Sequence, residues 1–262
     1  MDPGSGEERA LSRRALLTAT GVAGVAWVVP SVLATPSAAA ASNLASVVSG
    51  TAVHVQGNAA TFRTQDMPVG TFTRLVLVVA IVADNTGSTG PTVAQPISVS
   101  TPGWTLLSQL TDGDPPGLAV FSANPGAAPP AVAAQNLQNG RLTAVVLGWT
   151  IGTTVTLSTI TGAVAPNTSL TAPAASAPSP ATWVFAGSAS DGVAANNWAP
   201  LPGGSWSGVV PDLNGNNDTP PDIYVARRTS LLTSIPALSE TFFQGGSAGA
   251  NFGAKGVLIG VS

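Results

Sequence analysis

The chain has 262 residues, of which 44% are hydrophobic and only 8% charged, with a formal net charge of −3. A charged share so far below the usual ~25%, joined to this hydrophobicity, excludes disorder driven by charge repulsion, and the lack of a basic stripe excludes nucleic-acid binding through phosphate neutralisation. Cysteine is absent, which excludes disulfides and thiolate metal sites, so stability must come from an apolar core, which a chain of this length can build.

Residues 1–41 read as a cleaved leader. Arg13 and Arg14 precede an apolar stretch that starts at Ala15 and reaches about Val29, softened by Gly21 and Gly24 and broken by Pro30 and Pro36. Ala38, Ala39, Ala40 and Ala41 then offer small residues for a signal peptidase, completing the order of a secretory leader. The arginine pair resembles the twin-arginine export motif, with Leu16 where the strongest form carries Phe. That resemblance implies export of an already folded protein to the surface or the medium. Membrane contact is expected only through the leader.

The mature chain begins with an expected strand over residues 46–55, bent at Gly50, and a hairpin partner over residues 59–63 across the Gly57-Asn58 turn. Residues 74–83 (Arg-Leu-Val-Leu-Val-Val-Ala-Ile-Val-Ala) form an unbroken branched run closed by turn residues. It is too short for a membrane helix, which needs about 20 residues, and reads as a central strand buried on both faces. Residues 91–100 carry two prolines, which place them at an edge or in a loop. Next come a Pro-Gly turn leading into Trp104, a short strand over 117–122 and a loop over 124–130. A second buried strand covers 141–149, and a half-exposed one covers 153–161. Residues 167–180 read as a loop within one domain, and the strand rhythm resumes at Thr182. A long polar loop spans 191–221, followed by strands over 223–228, 239–243 and 255–261. With no helical period after the leader, the expected fold is all-β: one antiparallel β-sandwich over residues 42–262.

The succession of a buried strand, Thr101-Pro102-Gly103-Trp104-Thr105-Leu106-Leu107, a short Ala-Val-Phe strand and a second buried strand ending in Gly148-Trp149 resembles a known group. It is the jelly-roll-like β-sandwich domain of bacteriophage tail and appendage proteins and of secreted bacterial surface proteins. The resemblance covers residues 72–262 as a pattern and is sharpest over 101–107. It implies a jelly-roll-like sandwich with a structural or adhesive role and no shared catalytic residues to transfer.

Candidate chemistry is sparse. His54, the sole histidine, lies between valines in an expected strand, where an outward-facing side chain is the simpler reading than catalysis. The mature acidic residues are Asp66, Asp84, Asp112, Asp114, Asp191, Asp212, Asp218, Asp222 and Glu240. Most sit in turn-like sequence, where Asp stabilises the turn, and none forms an evident glycosidase pair. Asp212, Asn214, Asn216 and Asp218 place oxygens at alternate positions, a spacing calcium accepts. The expectation is no cofactor, with calcium on this run as the one alternative. Trp104, Trp149 and Trp183 adjoin buried strands and read as core. Trp198 and Trp206 lie in the long loop and are the candidate ligand-stacking residues, the alternative being that they cap the end of the sandwich. That loop is expected to be ordered and to form the recognition end. The expected function is therefore an exported, non-enzymatic structural or adhesive surface protein with a glycan or protein partner. The alternatives are a lectin-like module and a secreted hydrolase with loop carboxylates.

Overall fold

A computed structural model describes residues 47–83, 96–111, 116–135, 140–163, 169–189, 196–198, 205–210, 222–244 and 253–262. The leader lies outside the described residues. All of these residues belong to one compact unit within Ser37–Ser262. No α-helix occurs among them; a single 3-10 turn, Thr64–Asp66, interrupts the strands.

The first half of the chain forms β1 (Val47–Ser49), β2 (Val53–Gln56), β3 (Ala59–Thr61), β4 (Arg74–Ala83), β5 (Ile97–Val99), β6 (Trp104–Leu110), β7 (Gly117–Ala123), β8 (Ala131–Ala134) and β9 (Gly140–Trp149). The larger sheet runs β1-β9-β4-β7-β6, with β2 also on β9, and a 3-stranded sheet runs β3-β8-β5. Pairing is antiparallel throughout. From β2 onward successive strands alternate between the two sheets, except that β6 stays with β7, while β1 and β2 lie end to end on β9; this is a jelly-roll-like order.

The second half repeats it. Its strands are β10 (Val155–Leu157), β11 (Thr161–Ala163), β12 (Ser169–Ala172), β13 (Ala175–Ala189), β14 (Asn196–Trp198), β15 (Trp206–Val210), β16 (Asp222–Arg228), β17 (Leu232–Ile235), β18 (Leu238–Gln244) and β19 (Ala254–Val261). The larger sheet runs β10-β19-β13-β16-β15, with β11 also on β19, and a 3-stranded sheet runs β12-β18-β14. Only β17, which pairs with the start of β13, has no counterpart.

The correspondence extends to register. Val47 lies opposite Trp149 and Val155 opposite Val261; Val53 lies opposite Ala144 and Thr161 opposite Gly256. Between the two short strands, Gly50 N–H donates to the Val146 carbonyl at 2.8 Å, and Ser158 N–H donates to that of Leu258 at 2.9 Å. On the far edges, Trp104 opposes Ala123 and Trp206 opposes Arg228. The edge pairings slip at the same point, between Leu106 and Ser108 and between Gly208 and Val210. Such bulges twist an edge away from further pairing.

The unbroken apolar runs are explained by burial on both faces. From β4, Val76, Val78 and Ala80 enter a middle core between the two larger sheets, where they meet Val184, Ala186, Val225, Val257 and Ile259. Leu75, Leu77, Val79 and Ile81 point the other way, into an outer core closed by Ala60, Ile97, Val132 and Ala134 of the small sheet. In the second half, Trp183, Phe185 and Leu258 fill the matching outer core with Leu170 and Ala172. Each fully buried Val or Leu contributes about 1.5–3 kcal/mol. The larger sheets face each other in opposite order, β9 against β16 and β7 against β19. One edge is fastened where Arg227 Nη1 donates to the Val47 carbonyl (3.4 Å) and Ser49 Oγ to that of Val209 (3.3 Å). The all-β antiparallel fold expected from the sequence is thus present, and where one sandwich was expected over residues 42–262 the described strands form two jelly-roll-like sandwiches, back to back.

Several local expectations are corrected. Residues 59–63 do not fold back on β2: β3 pairs with β8, while β2 pairs with β9. Gly57, at φ 138, donates to the Gly140 carbonyl at 2.5 Å and carries the chain into the small sheet, where Ala60 and Phe62 are buried. The single strand expected over 153–161 is broken at Ser158, whose Oγ accepts from Leu258 N–H at 2.9 Å. Residues 167–180 include β12 and the start of β13; Pro178 and Pro180 fall where the β13–β17 register slips, between Ser176 and Ala181, an arrangement a strand tolerates. The long loop over 191–221 contains two strands, β14 and β15.

Candidate functional site

Trp206 opens β15 and is half-buried. Its ring packs against the second outer core, and the Arg228 guanidinium carbon sits 5.8 Å from the ring centroid, within cation–π range. Part of the surface a sugar ring would need is therefore already occupied. Its counterpart Trp104 packs on the first outer core and donates its indole N–H to the Ala128 carbonyl at 3.0 Å. Both tryptophans fasten an edge strand to a core, an apolar body with a satisfied or polar-flanked tip. The backbone of Trp198 lies opposite Phe242; its side chain is outside the described set. The run Asp212, Asn214, Asn216 and Asp218 lies outside the described residues. Trp149 and Trp183 are fully buried, as expected of core residues, whereas Trp104 is only half-buried.

His54 is exposed on β2, as its place between two valines suggests. Its Nδ1 lies 3.0 Å from the Oγ1 of Thr143, which is fully buried on β9. Partial burial of the ring lowers its pKa from 6.5, because desolvation disfavours the imidazolium. Asp66 serves the 3-10 turn, its Oδ2 accepting from Arg63 N–H at 2.8 Å. Asp84, Asp112, Asp114 and Asp191 lie outside the described residues, and Asp222 and Glu240 fall in β16 and β18.

A feature the sequence did not signal lies at the end of the first half where β4 begins. Gly70, Thr71, Phe72, Leu75, Pro125 and Gly126 line an open cleft of about 230 Å³. Val69, beside it in the chain, is 88% exposed. Arg74 fixes the surrounding loops, with Nη1 donating to Asn124 Oδ1 at 2.9 Å and Nη2 to the Thr153 carbonyl. The floor depends on a glycine. A Cβ at Gly148 would lie 2.5 Å from the Phe72 ring, so that ring rests directly on the strand. Gly260 holds the matching place in the second half, and a Cβ there would lie 2.8 Å from the Trp183 ring. Leu75 opposes Gly148 and Trp183 opposes Gly260, so Leu75 and Trp183 are equivalent positions. Residue spacing alone could not bring 70–75 to 125–126, since the link is the long-range pairing of Leu75 with Ala123.

No protein-family model, curated protein or solved structure matches the chain.

Proposed function

We propose that the protein is exported by the twin-arginine route and acts at the cell surface as a non-enzymatic structural or adhesive module. The observation that carries this reading is the back-to-back pair of jelly-roll-like sandwiches. The two larger sheets share one apolar middle core, and each is backed by an outer core and a small sheet. Such a stack presents a stiff body whose ends and edges, rather than an interior cleft between its sheets, are left for contact. Jelly rolls serve in capsids and in lectins, and fold by itself does not choose between such roles. Export is supported by Arg13 and Arg14 ahead of the apolar stretch. A folded cargo suits that route.

The test is fractionation of cells expressing the tagged chain, with external protease treatment, a glycan array and a hydrolase panel on the mature protein. Surface or medium localisation without turnover of any panel substrate is the expected result. Cytoplasmic retention of the unaltered chain overturns the export part. Turnover that Asp-to-Asn changes abolish overturns the non-enzymatic part, and glycan binding lost in Trp206→Ala moves the assignment to the lectin-like module.

A further inference from the structure

We propose that Ser179 is a glycosylation site, its hydroxyl the acceptor for a neutral sugar. Strand β13 leaves its ladder around this residue. Ser176 pairs with Ser234 and Ala181 with Leu232, so the four residues 177–180 of β13 lie opposite Thr233 alone. The surplus residues bulge away from β17. Both ends of the bulge are held, since Ala177 packs against the second outer core and Ala181 is fully buried within it. Between them Pro178, Ser179 and Pro180 are all exposed. The pairing partner β17 has no counterpart in the first half, so the bulge is an addition that the sandwich plan closes without.

The prolines give the bulge a defined shape. Neither has an N–H to return to a ladder, and each holds the residue before it, Ala177 or Ser179, in extended backbone. Ser179 therefore stands on a short, stiff, extended arm, the form in which a Pro-flanked segment enters the groove of another protein. Among the described residues its Oγ has no hydrogen-bond partner, whereas the hydroxyls of Ser98, Ser100, Thr101 and Thr229 donate to backbone carbonyls. An enzyme that meets the protein already folded needs an acceptor with both properties, extended and unengaged.

The surroundings select a sugar over a phosphate. Neither β13 nor β17 carries a charged residue, so neither supplies a guanidinium or amine to balance the charge of about −1.5 to −2 that a phosphate brings. Serine among prolines and small residues is also the composition of O-glycosylated stalks. In the transfer, Ser179 Oγ bonds to the anomeric carbon of an activated glycosyl phosphate. That carbon's bond to the phosphate oxygen breaks, the phosphate leaves with the bonding electrons, and the hydroxyl proton passes to a base of the transferase. On a chain with only 8% charged residues, the sugar sets a hydrated group over two exposed prolines.

The experiment is intact-mass and peptide mass spectrometry of the chain purified from the organism that makes it, from cell and medium fractions alike, with Ser179→Ala produced in the same cells. The wild type should carry the mass of one or more hexose or N-acetylhexosamine units on the peptide that contains Ser179. Ser179→Ala should lose that mass entirely and keep the wild-type Tm, since the replaced side chain is exposed. The proposal is overturned by an unmodified wild-type chain in both fractions, by a phosphate increment in place of a sugar, or by the same sugar mass in Ser179→Ala. Reading both fractions keeps the outcome separate from whether the leader exports the chain.

Discussion

Gly260→Ala is the most informative single change to the packing. An added Cβ would sit 2.8 Å from Trp183 Cζ3 and 2.9 Å from Cε3 and Cη2, well inside the 3.5–4.0 Å at which carbons attract. Trp183 has little room to yield: it is fully buried and its indole is tied to the Leu232 carbonyl at 2.8 Å. Overpacking of a filled core costs about 1–3 kcal/mol, and a pinned ring places this change near the upper end. For a domain of this size each kcal/mol lowers Tm by roughly 2–4 °C, so a fall of roughly 5–10 °C is expected. Thermal melts and urea titrations of the single variants and of the Gly260→Ala, Trp183→Leu pair form a double-mutant cycle. With the ring removed, the alanine should cost less than about 0.5 kcal/mol. Gly148→Ala supplies the contrast. Its Cβ would lie 2.5 Å from Phe72, but Phe72 is half-buried and borders the open cleft, so it can move, and about 1 kcal/mol is expected. A Gly260→Ala protein as stable as wild type, or a larger loss at Gly148 than at Gly260, would refute this reasoning.

Val79→Asp places a carboxylate at a fully buried position of β4, at a cost of several kcal/mol; the variant should be insoluble, and a folded, soluble one would contradict the double-faced burial. The His54 C2 proton should titrate with a midpoint below 6.5. Because the unfolded state then binds the proton more readily, stability should fall as pH drops through 6.5 and level off below the folded midpoint. His54→Gln should flatten that fall, and a midpoint at or above 6.5 would contradict the burial. Replacing Arg13 and Arg14 by Lys should leave precursor in the cytoplasm, and normal secretion of the double variant would remove the twin-arginine assignment. A calcium site on the Asp212–Asp218 run would raise the wild-type Tm by mass action and lose that rise in Asp212→Ala with Asp218→Ala; an unchanged wild-type Tm leaves no calcium there.

What the sequence made legible follows from burial. β4, β9 and β19 were readable because burial on both faces demands continuous Val, Leu and Ile. β8 was missed because Ala-Val-Ala-Ala has weak strand preference and earns its place only by covering the outer core. β13 was read as starting too late because Pro178 and Pro180 punctuate an exposed, slipped stretch. The duplication escaped notice because equivalent positions share neither identity nor, in places, even polarity: Leu75 matches Trp183, Ala123 matches Arg228, and His54 with Thr143 matches Gly162 with Lys255. The correspondence resides in register, which only the paired strands reveal. The cleft was illegible for the same reason, since the pairing of Leu75 with Ala123 that brings its two walls together is hidden in the linear order.

Equivalence of the two halves is tested most directly by paired cysteines, since the chain has no cysteine of its own. Thr105 opposes Ser122 on the first edge and Ser207 opposes Arg227 on the second, the same position in the two copies. Thr105→Cys with Ser122→Cys, and Ser207→Cys with Arg227→Cys, should oxidise to similar extents under the same conditions, because cross-linking demands a close, fixed Cα separation. Pairs slipped by one residue, Thr105 with Phe121 and Ser207 with Ala226, should not, because a slip sends the side chains to opposite faces. Cross-linking of one edge in the stated register and of the other only in the slipped one would contradict a duplicated fold.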